Sequence, residues 1–199
     1  TKRSYSLATI HDHALGPGEA VDIAVSFVPG GTATALFEGL REGDEIQASG
    51  PFGRFCLQPN DANRRYLLIA TGTGVTPYRS MLPLLSSAIE ARGVEVVLLF
   101  GARNEEELIY ADDFRAMATK HPGRFRFVPC YSREFNGHAG PDARRGYVTD
   151  HLAELAPSAE GDIAYLCGNP NMVDAAFAAL KDHGLPIPMI RREKYVSGK

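Results

Sequence analysis

Cysteine is scarce: Cys56, Cys130 and Cys167 are the whole supply, an odd number with no close spacing. This argues against a disulfide framework and against a cysteine-ligated cluster or zinc site. No apolar run approaches the roughly 18 residues that a membrane-spanning helix needs. Nor is there a basic-then-apolar leader of the secretory kind, so the expectation is a cytoplasmic protein that does not insert in membranes. Basic residues are not in excess, with 21 Lys and Arg against 24 Asp and Glu and a formal net charge of −3. Nucleic acid is therefore not an expected partner. The six histidines lack metal-ligand spacing; His11 and His13, two apart in a loop-like segment, read as solvated, and no metal is expected. Internal repeats and low-complexity segments are absent. What remains is an ordinary globular composition, 44% hydrophobic and 23% charged, in a length that accommodates one large domain or two small ones.

The most informative stretch is Tyr66–Met81, YLLIATGTGVTPYRSM. Tyr66 to Ala70 is an unbroken apolar run, the pattern of a strand buried on both faces of a parallel sheet. Gly72-Thr73-Gly74 allows a sharp turn and a close backbone approach. Thr76-Pro77 reads as a hydroxyl N-cap followed by proline at the first helical position. Strand, glycine turn and helix start together form either a phosphate site or plain punctuation.

The chain divides around residue 60. Over residues 1–60, Ser4–Ala8, Ala20–Phe27, Asp44–Ala48 and Phe55–Leu57 read as short strands, with a helical pattern over Thr34–Leu40. This predicts part of a small antiparallel barrel. Gln58–Asn63 reads as a linker. Over residues 61–199, buried-strand runs recur at Tyr66–Ala70, Val94–Phe100, Phe125–Tyr131, Ile163–Cys167 and near Met189–Tyr195. Between them lie amphipathic helical patterns, the first containing Pro83, which is expected to kink it. Strand–helix alternation predicts a Rossmann-like α/β domain with a parallel sheet.

Ligands of such sheets collect outside the carboxyl ends of the strands. Those ends carry Thr71–Thr76, Gly101–Asn104, Ser132-Arg133-Glu134 and Gly168-Asn169-Pro170. Asn169-Pro170 repeats the cap-then-proline device. Arg103 and Arg133 are either phosphate ligands or solvated loop residues, and Arg144 and Arg145 either reach the nucleotide phosphate or simply cap a loop. The usual dinucleotide fingerprint is incomplete, since Pro77 stands where a third glycine belongs. No acidic residue ends the second strand, where NAD would want one for its ribose, and Glu95 falls near that strand's start. The departure favours a dinucleotide with a 2′-phosphate or a different family of fold.

Taken together, these motifs resemble the ferredoxin–NADP reductase superfamily over nearly the whole chain. Arg3-Ser4-Tyr5-Ser6 is similar to its R-x-Y-S flavin motif. The resemblance gives Arg3 the FAD pyrophosphate, Tyr5 the isoalloxazine face and Ser6 the flavin N5, with Ser4 in the same segment. Val25, Phe27, Gly31, Thr32, Ala33 and Thr34 fall in the second flavin segment, and Gly50-Pro51-Phe52-Gly53 resembles the G-P-x-G turn. Thr71 and Tyr195 are also implied at the flavin, the latter through Glu193-Lys194-Tyr195, which is similar to the family's E-x-[YF] ending although four residues follow it. For NADP(H) the resemblance implies Gly72, Thr73, Gly74, Thr76 and Pro77, then Arg103, Ser132 and Arg133 at the 2′-phosphate. It also implies Cys167, Gly168, Asn169, Pro170 and Met172 from the C-G-x-P-x-M motif.

The implied fold is thus α/β plus β: an incomplete antiparallel FAD-binding barrel (1–60) followed by an NADP-binding α/β domain (61–199). Family members carry about three barrel strands before R-x-Y-S, so a segment is expected to precede Thr1. The implied activity is hydride transfer between NADP(H) and FAD, with single electrons exchanged with ferredoxin or flavodoxin by a monomer. Ser6, Tyr5, Cys167 and Glu193 form the catalytic group. The alternatives are the reductase component of an oxygenase system, an NAD(P)H:flavin reductase, or a regulatory module retaining the fold without turnover. Lys2, Arg3, Arg191, Arg192 and Lys194 are either a docking patch for an acidic carrier or ordinary surface charge.

Overall fold

The computed structural model describes residues 3–58, 61–135 and 140–195. Six parallel strands form one sheet in the order β4-β3-β2-β1-β5-β6. They are β1 (Arg65–Thr71), β2 (Glu95–Ala102), β3 (Phe125–Tyr131), the two-residue β4 (Arg144–Arg145), β5 (Asp162–Gly168) and β6 (Ile190–Lys194). The helices are α1 (Thr32–Gly39), α2 (Thr76–Arg92), α3 (Ala111–Lys120) and α4 (Pro170–Asp182). Among the described residues, no helix is long and apolar enough to cross a membrane.

Alternation of side chains along each strand divides the core into two layers. Tyr66, Leu68 and Ala70 of β1, with Val96, Leu98 and Phe100 of β2, face Tyr78, Met81 and Leu85 of α2 and Phe114 of α3. Leu67 and Ile69, with Val97 and Leu99, face Val173, Ala176 and Leu180 of α4. Both strand faces are covered, which is why these runs are apolar without interruption. Each fully buried Leu or Ile contributes about 1.5–3 kcal/mol relative to exposure. α2 continues as one helix through Pro83 and ends at Gly93, whose φ of 64° permits the left-handed cap and whose N–H reaches the Ile89 carbonyl at 2.8 Å.

The α2 start differs from expectation. A 3-10 turn, Gly72–Val75, precedes it, and Thr76 is its first helical residue. The Thr76 hydroxyl donates back to the Thr73 carbonyl at 2.6 Å and does not cap the helix. Asn169 does act as the cap of α4, its Oδ1 accepting the Asn171 N–H at 2.9 Å.

The expected barrel does not form. Among the described residues before 61, pairing is limited to one antiparallel bridge, Leu7 with Ile23, and the Ala8 N–H to Asp22 carbonyl bond of 2.8 Å. Alternation specifies which face a strand would bury, but a sheet needs neighbouring strands, and a lone pair is marginal. Val21, Phe27 and Ile46 are 55%, 58% and 50% exposed, so no barrel interior closes over them. The segment nevertheless docks on the sheet domain. Phe55 packs on Tyr165 at 5.5 Å and Tyr78 at 6.1 Å, and Tyr165 donates to the Cys56 carbonyl. Arg79 of α2 binds the Ala8 carbonyl, Asp22 and Asp113 while stacking over Tyr110.

Candidate functional site

The chain runs outward from β1 through β2 to β3, then returns across β1 to β5. The carboxyl ends of β1 and β5 therefore flank the topological switch point, where α/β sheets bind ligands. Two glycines let these ends meet. A Cβ on Gly74 would stand 2.3 Å from the Cys167 carbonyl oxygen and 2.5 Å from the Gly168 Cα. Gly168, at φ +128°, would drive a Cβ to 2.6 Å from the Thr71 carbonyl oxygen. Thr71 Oγ1 accepts the Asn169 N–H at 3.1 Å and completes the seam. Gly72 is different: it is exposed, left-handed at φ +53°, and a Cβ there would touch nothing within 4 Å. The open rim thus lies at Gly72-Thr73 and Asn169, while Gly74, Val75, Thr76 and Pro77 are buried beneath it.

Four side chains converge beside this seam. Tyr195 donates to Ser6 Oγ at 2.6 Å, and Ser6 donates to Glu193 Oε1 at 3.1 Å. Glu193 pairs in register with Cys167 across β6 and β5, and the Tyr195 N–H reaches the Gly168 carbonyl at 2.8 Å. Burial pushes the Cys167 thiol up to about 12, with the Tyr195 hydroxyl pulling weakly the other way. Cys167 is therefore a neutral thiol at physiological pH and no nucleophile. Burial likewise raises the Tyr195 phenol, with the neighbouring Cys167 next in effect. These residues form a hydroxyl–hydroxyl–carboxylate chain able to hold and move a proton at the surface of the seam.

The other predicted flavin residues are dispersed along the docked segment. Tyr5 is half-buried edge-on against Phe37 of α1 at 5.7 Å. Arg3, Ser4 and Phe27 are exposed, and Val25 is half-buried. Gly31 is the residue before α1, Thr32 and Ala33 its first turn, and Thr34 is buried with its hydroxyl engaged with both the N–H and the carbonyl of Val28. Ser26 touches Thr73 at 3.3 Å, a contact that links this segment to the β1 turn.

At the far side of the rim, Ser132 donates to the Ala102 carbonyl at 3.3 Å, and the Arg133 N–H to the Arg103 carbonyl at 3.1 Å. The Arg103 guanidinium is bidentate on Glu107, at 2.5 and 2.9 Å. The carboxylate that sequence reasoning missed at the end of β2 is thus present, returned by the 3-10 turn Glu105–Glu107; Asn104 before an acidic run was its one signal. Pro170 opens α4, and Met172 packs on the α4 side of the core. Arg144 is engaged by Glu154 and the carbonyls of Asp142 and Ala143. His11 and His13 lie with Glu19 in one group, and the two ring nitrogens of His13 are in hydrogen-bond contact with Asp12 and Glu19, each at 2.8 Å, so His13 is not simply solvated.

Known proteins resemble this chain in sequence and fold. The model of the oxidoreductase NAD-binding domain family matches residues 68–177, more than half of the chain. The reductase subunit of an aromatic O-demethylase from Amycolatopsis is 37% identical over 98% of this chain and 56% of its own length. Ferredoxin–NADP reductase B from Sorangium cellulosum is 35% identical over 98% of this chain and 78% of its own. The solved cytochrome P450 reductase GcoB of Amycolatopsis superposes with a TM-score of 0.80 at 37% identity, over 96% of this chain and 55% of that one. The chain spans about half the length of several of the curated relatives it matches. With its glycine seam at the switch point and its matched NAD-binding domain, the chain belongs to the ferredoxin–NADP reductase superfamily of oxidoreductases, whose cofactors are FAD and NADP(H).

Proposed function

We propose that this chain is the electron-relaying part of an FAD-dependent NAD(P)H reductase that passes single electrons to a separate protein carrier. The observation that carries the reading is the convergence of Ser6, Glu193 and Tyr195 on Cys167 at the seam between β1 and β5. Residues 1–60 serve the flavin and residues 61–199 the dinucleotide. The open space over Gly72 and the positive end of the α4 dipole beside Asn169 suit a dinucleotide pyrophosphate. The Ser6 hydroxyl suits a flavin edge, since turning it away from Glu193 presents a donor there. Bound flavin supplies the conversion between two-electron and one-electron chemistry. In this chain Glu193 and Ser6 hold the proton, Cys167 gives a small neutral wall, and the Tyr195 ring shields the seam from water. A cytoplasmic monomer belongs to the same reading.

Two carrier classes fit. A ferredoxin or flavodoxin follows from the likeness to a ferredoxin–NADP reductase, and an oxygenase component from the likeness to an O-demethylase reductase subunit. The test is a visible spectrum of the FAD-supplemented chain before and after anaerobic NADPH or NADH. Flavin bands that bleach support the reading. A protein that stays colourless with added FAD contradicts it and favours a regulatory module of the same fold.

A further inference from the structure

The end of β2 carries an arrangement that the 2′-phosphate expectation does not account for. Asn104 caps the short turn Glu105–Glu107, its Oδ1 accepting the Glu107 N–H at 3.2 Å. The turn folds Glu107 back onto Arg103, where Oε1 sits 2.5 Å from Nη2 and Oε2 sits 2.9 Å from Nε and 3.3 Å from the Arg103 N–H. The Nε/Nη2 edge of that guanidinium faces the carboxylate. The Arg103 carbonyl in turn accepts the N–H groups of Arg133 and Glu134, each at 3.1 Å, so the ends of β2 and β3 are joined. The Glu107 carboxyl is held below its usual range, first by Arg103 and also by the charge of Arg133. A rim with two guanidinium groups therefore has a carboxylate already on the Nε/Nη2 edge of one of them, and a phosphate of charge about −1.5 to −2 would meet its charge there and would have to displace it to use that edge.

We propose that Glu107 is the specificity-determining residue of the dinucleotide site: it competes with a 2′-phosphate for Arg103 and Arg133, and favours the unphosphorylated ribose of NADH. The inference rests on the reading of this rim as the dinucleotide site. A carboxylate accepts hydrogen bonds from ribose hydroxyls and repels a phosphate, whereas arginines alone do the reverse. Selectivity here comes from a repulsive group as much as from an attractive one.

The test uses adenosine 2′,5′-bisphosphate and 5′-AMP as probes, titrated calorimetrically into the full chain and its Glu107→Gln variant at low salt. Glutamine keeps the length and the acceptor oxygen and removes the charge. The bisphosphate should bind the variant about tenfold more tightly while 5′-AMP changes less than twofold, and the gain should shrink as salt is raised. Arg103→Gln, which removes one guanidinium and leaves the Glu107 charge at the rim, should shift the ratio the opposite way. Binding of both probes with an unchanged ratio in the two variants overturns the role of Glu107 and leaves the site itself standing. Failure of both probes to bind the wild-type chain overturns the site and this inference together.

Discussion

Replacing Gly74 by alanine perturbs the seam with one carbon. Gly74 is not at positive φ, so alanine meets no backbone penalty there and the effect is steric. The added Cβ would lie 2.3, 2.5 and 2.6 Å from the Cys167 O, the Gly168 Cα and the Cys167 C, where ordinary contact begins near 3.4 Å. All three are backbone atoms of β5, so no rotamer change relieves the overlap, and β1 and β5 must part by about 1 Å, the deficit of 3.4 against 2.3. Parting weakens the Asn169 to Thr71 bond and the last ladder pair, Ala70 with Cys167. Overpacking of about 1–3 kcal/mol and one weakened hydrogen bond of about 1 kcal/mol suggest a total near 3 kcal/mol. For a chain of this size that lowers the thermal midpoint by about 6–12 °C. Gly72→Ala is the internal control, because its Cβ meets open space and only the left-handed φ of 53° costs, about 1 kcal/mol. Thermal and urea unfolding followed by circular dichroism should rank Gly74→Ala well below Gly72→Ala. Equal losses, or a milder loss at Gly74, would refute the packed seam.

The cysteines and the rim give three further outcomes. Burial raises the thiols of Cys130 and Cys167 to about 12 while Cys56 is exposed, so iodoacetamide at pH 8 should label Cys56 alone, as peptide mass spectrometry would read. The same shifts fix a sign. A folded-state thiol pKa above the unfolded value contributes stability that is fully present below about pH 8.5 and is lost as pH rises toward 12, by up to about 1.4 kcal/mol per pH unit for each thiol. Urea melts at pH 7.5 and 9.5 should show the fall, and a Cys130→Ala, Cys167→Ala double variant should flatten it. At the rim, Arg133→Ala should weaken NADPH about tenfold and NADH little; equal losses would remove Arg133 from the 2′-phosphate.

The sheet was legible because its information is local. Tyr66–Ala70 and Ile163–Cys167 are apolar runs bounded by turns, and each becomes a two-faced strand with boundaries shifted by a residue. Asn169-Pro170 was legible as a cap for the same reason. Thr76-Pro77 shares that pattern but fails as a cap, since the 3-10 turn before it engages the Thr76 hydroxyl with Thr73. Long-range facts were not legible. Gly74 reads locally as a residue that lets a ligand approach, whereas the backbone approaching it belongs to β5, some ninety residues onward. Glu107 lies five residues beyond the end of β2, outside any strand-end pattern, and reaches the rim only because Asn104 turns the chain back. Ala20–Phe27 and Asp44–Ala48 read as strands but become none, because side-chain pattern alone cannot supply the neighbouring strands that a barrel requires.

The central claim is that the carboxyl ends of β1, β2, β3 and β5 form the dinucleotide site. Backbone amide shifts of the isotope-labelled chain, followed during titration with NADP+ and with NAD+, test it most directly. Shifts confined to Thr71–Thr73, Arg103, Ser132-Arg133 and Gly168-Asn169 are the predicted result. A contrary result is also well defined, because a groove of about 800 Å³ opens at the other side of the domain, lined by Arg65, Glu95, Arg124 and Arg126. Shifts centred there, with the β1–β5 rim unmoved, would contradict the account.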